Sequence, residues 1–84
     1  MVRVKGVCRL EFEAHLLYPS KESFDRRDNA EALWLDLDGP LSNEMLALSG
    51  KEVVVDARFD ASTHGHLDAF AGTLIVQEIA IAPR

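Results

Sequence analysis

From residue 2 to residue 18 the even positions are Val2, Val4, Gly6, Cys8, Leu10, Phe12, Ala14, Leu16 and Tyr18. The positions between them carry Arg3, Lys5, Arg9, Glu11, Glu13 and His15, and only Val7 and Leu17 interrupt that polar row. A period of two is the mark of a strand with one buried face. The run exceeds the usual strand length, so it predicts one long strand that bends, with Gly6 as the place for a bend or bulge. One bent strand serving two sheets is how a small barrel closes.

Pro19 ends this strand, and residues 19–29 (PSKESFDRRDN) read as a polar loop containing Phe24, Arg26 and Arg27. Ser20 is placed to cap a helical turn there, but the segment is assigned to a loop. Residues 32–38 predict a short strand with Leu33, Leu35 and Leu37 on one face and Trp34 and Asp36 on the other. Asp38-Gly39-Pro40 signals a turn. Ser42 then caps a short helix through about Ser49, with Leu41 and Leu46 at hydrophobic-staple positions and Gly50 at the left-handed C-terminal position. Leu41, Met45 and Leu48 share a stripe suited to plugging one end of a barrel. Val53, Val55, Ala57 and Phe59 alternate with Val54, Asp56, Arg58 and Asp60, which predicts a strand with Phe59 in the core. After a loop with Gly72 as a corner, Ile75, Ile79 and Ile81 alternate with Leu74 and Val76, so the last strand is covered on both faces at its start.

This order is long bent strand, short strand, helix, strand, loop, strand. It resembles the OB-fold, a five-stranded Greek-key barrel with its helix between the third and fourth strands. The residues that carry the resemblance are Val4-x-Gly6, Ala32-Leu33-Trp34-Leu35-Asp36, the helix ending at Gly50-Lys51, and the run from Val53-Val54-Val55 to Gly72-Thr73-Leu74. The chain is also similar to small bacterial proteins of unassigned function that share a Leu-Tyr-Pro-Ser loop, an Ala-Leu-Trp-Leu-Asp strand and a Phe-Asp…Gly-His-Leu…Gly hairpin. No turn signal divides residues 2–18, so the barrel is expected to have either five strands or four long ones with the first bent. The resemblance implies a site made by the loop after the first strand, the loop between the last two strands and the face between them. Here those loops are residues 19–29 and 61–69, and the candidate contacts are Tyr18, Phe24, Arg26, Arg27, His64, His66 and Phe70.

Composition narrows the chemistry. Eighty-four residues make one domain, and 48% hydrophobic with 27% charged residues is the balance of a folded protein. The net charge of −5 argues against a general nucleic-acid binder, since such proteins rely on Lys and Arg against phosphates. A single cysteine, Cys8, excludes an internal disulfide and reads as a buried thiol. No apolar run is long enough for a membrane span and the N-terminus lacks a signal-peptide stretch, so the expected location is cytoplasmic.

His64-Gly65-His66 is the most suggestive local motif. Zinc requires three or four protein ligands, and only two are in hand, so neither a metal nor another cofactor is expected. The carboxylate pairs Glu11/Glu13, Asp36/Asp38 and Asp56/Asp60 lie on strands or turns, and no phosphate loop or nucleophile elbow is present. The expected role is therefore non-enzymatic, a binding module for a protein partner, acting as a monomer or weak homodimer. The alternative is single-stranded nucleic-acid binding. Arg3, Lys5, Arg9, Lys21, Arg26 and Arg27 favour it, whereas Glu11 and Glu13 oppose it and Phe12, Trp34 and Phe59 read as core.

Overall fold

Strand β1 (Val2–Glu11) is shared between two neighbours. Its first half pairs antiparallel with β4 (Glu52–Asp60), from Val2↔Ala57 to Val7↔Glu52. Its second half pairs antiparallel with β2 (Ala14–Tyr18), from Val7↔Tyr18 to Glu11↔Ala14. The computed structural model describes residues 1–11, 14–37, 39, 41–60 and 72–83. Its further elements are α1 (Lys21–Arg26), a 3-10 turn (Asn29–Glu31), β3 (Leu33–Asp36), α2 (Asn43–Leu46) and β5 (Gly72–Ile81). β2 pairs antiparallel with β3, β3 parallel with β5, and β5 antiparallel with β4. The ring β1-β2-β3-β5-β4 returns to β1 as a closed five-stranded barrel. The mainly β, five-stranded expectation holds, with two short α-helices where one was predicted.

Gly6 sits where β1 passes from one neighbour to the other. A Cβ at Gly6 would collide with the carbonyl oxygen of Tyr18 and lie 3.0 Å from Leu17 Cγ. Glycine is needed there for close backbone approach rather than for an unusual φ.

The predicted single strand over residues 2–18 is two strands. The physical reason is the pairing itself. Glu11↔Ala14 and Cys8↔Leu17 set odd positions of β2 opposite even positions of β1. Directly opposed residues share a face of the sheet. The inward row is therefore Val4, Cys8 and Leu10 on β1 but Leu17 on β2, all in one core with Leu35, Val53, Val55, Ala57 and Leu74. Leu16 and Tyr18 continue the even count yet face outward. They form a second small core with Ala32, against which Ala14, Phe24 and Trp34 pack.

A similar phase change occurs in β5. Asp56 pairs with Glu78 but Ala57 with Val76, so Gln77 has no partner on β4. This bulge lets Leu74 and Val76 before it, and Ile79 after it, all reach the main core. The mixed hydrophobic pattern of residues 74–81 is the record of that shift.

Helix α2 is shorter than the predicted 42–49. Ser42 caps it, accepting from the Met45 N–H at 3.2 Å, and Gly50 takes the left-handed conformation at φ 84. Leu41, Met45 and Leu48 pack against the main core as the predicted stripe requires, but Leu46 is 40% exposed and does not staple the helix. The segment after α2 runs beside β1: Cys8 N–H donates to Lys51 O, Gly50 N–H to Cys8 O, and Leu10 N–H to Ser49 Oγ.

Phe59 corrects the core assignment. It is 46% exposed, beyond the point where β1 ends alongside β4. Its ring covers the backbone of Gly72, where a Cβ would meet Phe59 Cε1 at 2.9 Å. Gly72 is accordingly the buried first residue of β5 rather than a corner.

Two substitutions test this layout by thermal unfolding. Gly6→Ala forces the Tyr18 carbonyl or the Leu17 side chain to move and is expected to cost about 1–3 kcal/mol, as overpacking does. An unchanged melting temperature would mean that β1 and β2 separate freely at this point. Leu35→Ala, at a fully buried site, should cost ~2–5 kcal/mol, and Phe59→Ala distinctly less than that. The reverse order would place Phe59, not Leu35, at the centre of the core.

Candidate functional site

The segment expected to be a recognition loop is folded onto the barrel. Ser20 caps α1, accepting from the Ser23 N–H at 3.1 Å, and Arg27 ends the helix in the left-handed conformation at φ 55. Its N–H donates to the Phe24 and Ser23 carbonyls. Local sequence chemistry explains this: a serine N-cap, the acidic Glu22 in the first turn, and the basic Arg26 in the last turn, each favourable to the helix dipole. The loop assignment for residues 19–29 is thus replaced by a helical strap.

The strap uses its polar groups internally. Tyr18 is fully buried, its hydroxyl donates to Asn29 Oδ1 at 2.8 Å, and its ring meets Phe24 edge-on at 5.6 Å. Buried Ser23 donates to Glu31 Oε2 at 3.2 Å. Arg26 lies 3.7 Å from Asp28 and 3.8 Å from Glu31. Of the predicted contacts, Tyr18 is a core residue, Phe24 is half-buried against it, and Arg26 is ion-paired within the strap. Arg27 is exposed. The structure brings Tyr18 and Phe24 together and leaves the two arginines outside them. His64, His66 and Phe70 lie outside the described residues, as does the rest of the loop 61–69. No group of three or more His, Cys, Asp or Glu side chains among the described residues is placed to hold a metal ion.

The outward face of β2 and β3 is partly covered by this strap. Beyond it, the Trp34 and His15 rings stack at 5.4 Å with 29° between their planes. Arg9 and Trp34 both oppose Leu16 and share its face, whereas His15 opposes the buried Leu10; Arg9 pairs with Glu11 at 3.0 Å. Trp34, expected on the face opposite the leucines with that face partly covered, packs against the second core, and the register to Leu16 sets its place.

Several stretches of strand edge have a paired strand on one side alone among the described residues; residues 58–60 of β4, which pair with β5 but not β1, are one, and two others lie on β1 and β5. β2 accompanies β1 only over residues 7–11, so residues 2–6 are paired on the β4 side alone. β3 accompanies β5 only up to Ile75, so residues 76–81 are likewise paired only with β4. Buried or half-buried main-chain groups require partners, and unpaired strand edges are templates for other chains. Exposed apolar side chains accompany both stretches: Val2 at 41% and Ile81 at 54%. Beside residues 2–6 the barrel wall has a slot of about 140 Å³, lined by Val4, Lys5, Leu17, Tyr18, Pro19, Glu31 and Leu33. It opens where β2 stops and Pro19 turns the chain away. Neither edge was singled out as a site from sequence, because strand lengths relative to their neighbours depend on register.

Charge around the β1–β4 wall is largely matched. Arg3 forks onto Asp56, with Nε to Oδ1 at 2.7 Å and Nη2 to Oδ2 at 3.2 Å, and Lys5 lies 3.3 Å from Glu52. The hydrogen bond from Arg3 holds the Asp56 carboxyl below its ordinary 3.8. The pair therefore supports the fold above the ordinary carboxylate range, and this support is lost as pH falls through the lowered value.

Cys8 is buried in the main core, with its Sγ–H donating to the Leu48 carbonyl at 3.0 Å. Burial pushes its thiol up to about 11 from the ordinary 9.0. Native protein should resist iodoacetamide at pH 8, whereas denatured protein should react fully by intact mass. Stability should also fall between pH 9 and pH 11, because the unfolded chain releases the thiol proton first. Rapid alkylation of the native protein would mean that the α2 plug opens readily over Cys8.

No protein-family model, no curated protein and no solved structure matches this chain.

Proposed function

We propose that the chain is a non-enzymatic binding module that recognises a protein partner. The observation that carries this reading is a pair of main-chain edges, residues 2–6 and 76–81, that have a strand neighbour on one side alone among the described residues, each with an exposed apolar residue beside it. Main-chain donors and acceptors in a row, with apolar side chains alternating beside them, are the chemistry that receives another polypeptide. The ring order and the placement of α2 between β3 and β4 support an OB-like barrel. In such a barrel the β2–β3 face is the usual binding surface. In this chain α1 lies over part of that face, which moves the weight of the reading to the edges.

Single-stranded nucleic acid is the second reading, and it rests on Trp34, stacked with His15, and on Arg9, which shares the face of Trp34. Bases stack on such rings, and a cation beside them meets phosphate. The net charge of −5 opposes it.

A labelled single-stranded oligonucleotide read by fluorescence anisotropy separates the two. The expected result is no salt-sensitive binding at moderate ionic strength. Binding that weakens with salt and disappears in Trp34→Ala and Arg9→Ala would replace the first reading with the second. In parallel, a photo-crosslinking residue placed at Val2 or Ala80 should form protein adducts in cells, while one at Glu22 on α1 should not. Adducts at Glu22 alone would move the binding surface to the strap.

A further inference from the structure

A hollow beside the end of β3 selects its occupant by charge. It measures about 420 Å³ and is lined by Asp36, Leu37, Ile75, Val76 and Gln77. Leu37 and Val76 also pack against the main core, and Ile75 is half-buried, so these three supply aliphatic surface. Gln77 is exposed and is the residue that the β5 bulge leaves without a partner on β4. Asp36 is the one ionisable residue in the lining, and it too is exposed. Among the described residues it has neither an ion pair nor a side-chain hydrogen bond. Arg58 stands on the same outward row, since it and Asp36 both oppose Ile75. Two strand spacings, about 10 Å, separate them, and they form no ion pair.

We propose that this hollow takes an arginine side chain from a basic segment of a partner protein. The guanidinium donates to the Asp36 carboxylate and to the side-chain carbonyl of Gln77, and its aliphatic stem lies along Leu37, Ile75 and Val76. The inference rests on the protein-binding reading above and adds the place of one contact and the charge of the partner. An unpaired carboxylate repels phosphates and other carboxylates, and the net charge of −5 adds to that repulsion. A divalent metal ion needs more oxygen ligands than one carboxylate side chain supplies. Lysine carries a compact ammonium without the planar fork that spans two acceptors. A second copy of the chain brings the same net negative charge, so the partner is a different, basic protein.

The test follows the backbone amide NMR shifts of the whole chain as end-blocked Gly/Ser peptides are added at low ionic strength. One peptide carries arginine, and matched peptides carry lysine, citrulline or glutamate in its place. The expected result is saturable shifts centred on Asp36, Leu37 and residues 75–77 with the arginine peptide. Shifts should be weaker with lysine and absent with citrulline or glutamate. Asp36→Asn, at an exposed position, should leave the protein folded by circular dichroism and weaken the arginine peptide about tenfold. Glu22→Gln, which removes an exposed carboxylate on α1, should change nothing. Equal weakening by both substitutions, or equal binding of the lysine peptide, would reduce the contact to general charge attraction and overturn the site. Shifts confined to residues 2–6, or none with any peptide, would overturn it and leave the protein-binding reading standing. Free arginine binding as tightly as the peptide would make the ligand a small molecule and overturn the partner assignment. Oligonucleotide binding in place of peptide binding would overturn both the site and the reading beneath it.

Discussion

The barrel depends on one strand having two partners in succession. β1 runs with β4 over its first half and with β2 over its second, and the exchange takes place around Gly6 and Val7. At that point three backbones converge, and the Tyr18 carbonyl approaches Gly6 so closely that no side chain is tolerated. The ring could not close without this crossing, because β4 and β2 are connected only through β1 on that side. Both halves of β1 are then secured. The second half has β2 along one edge and the turn after α2 along the other, through Cys8, Leu10, Ser49, Gly50 and Lys51. Among the described residues the first half has β4 alone. The same sharing that closes the barrel therefore leaves the two halves of β1 differently supported among the described residues.

Periodicity made the strands legible, and pairing made them illegible where phase changes. Residues 2–18 keep one alternating rhythm, yet two opposed strands joined between residues 11 and 14 must exchange the parity of their inward positions. The rhythm looks unbroken because the outward face of β2 is itself covered, so Leu16 and Tyr18 are as apolar as residues that face the main core. Val7 and Leu17, the two exceptions to the alternation, were the visible trace. Leu17 belongs to the main core, and Val7 pairs with Tyr18 on the face below the strap. Likewise the Gln77 bulge scrambles the pattern of β5 without any glycine or proline to announce it.

The candidate site was less legible than the fold. Phe24, Arg26 and Arg27 were selected by residue type in a segment taken for a loop, with Tyr18 at the end of the strand before it. Ser20, Glu22 and Arg26 already carried the capping and dipole pattern of a helix. Once that helix forms, the aromatic residues have a core to cover and the charges have neighbours in Asp28 and Glu31. The stacked His15 and Trp34 pair needed the β2–β3 register to be seen at all. The edge of residues 2–6 was hidden for another reason: an unpaired edge has no residue signature of its own, being defined by where the neighbouring strand ends.

That distinction bears on how a barrel this small divides stability from recognition. Its interior is committed to packing, with Cys8, Leu10, Leu35, Val53, Val55, Ala57 and Leu74 all buried. A domain of this size has little stability to spare for a desolvated polar pocket. Recognition is then cheapest where the fold already leaves groups unfilled. Among the described residues, 2–6 have β4 as their one strand neighbour, and it holds their backbone in strand geometry. The strap contributes indirectly. By drawing the chain away at Pro19 and packing α1 over the outer face, it ends β2 at Tyr18. The helix that stands where a recognition loop was predicted is in this sense what sets the length of β2.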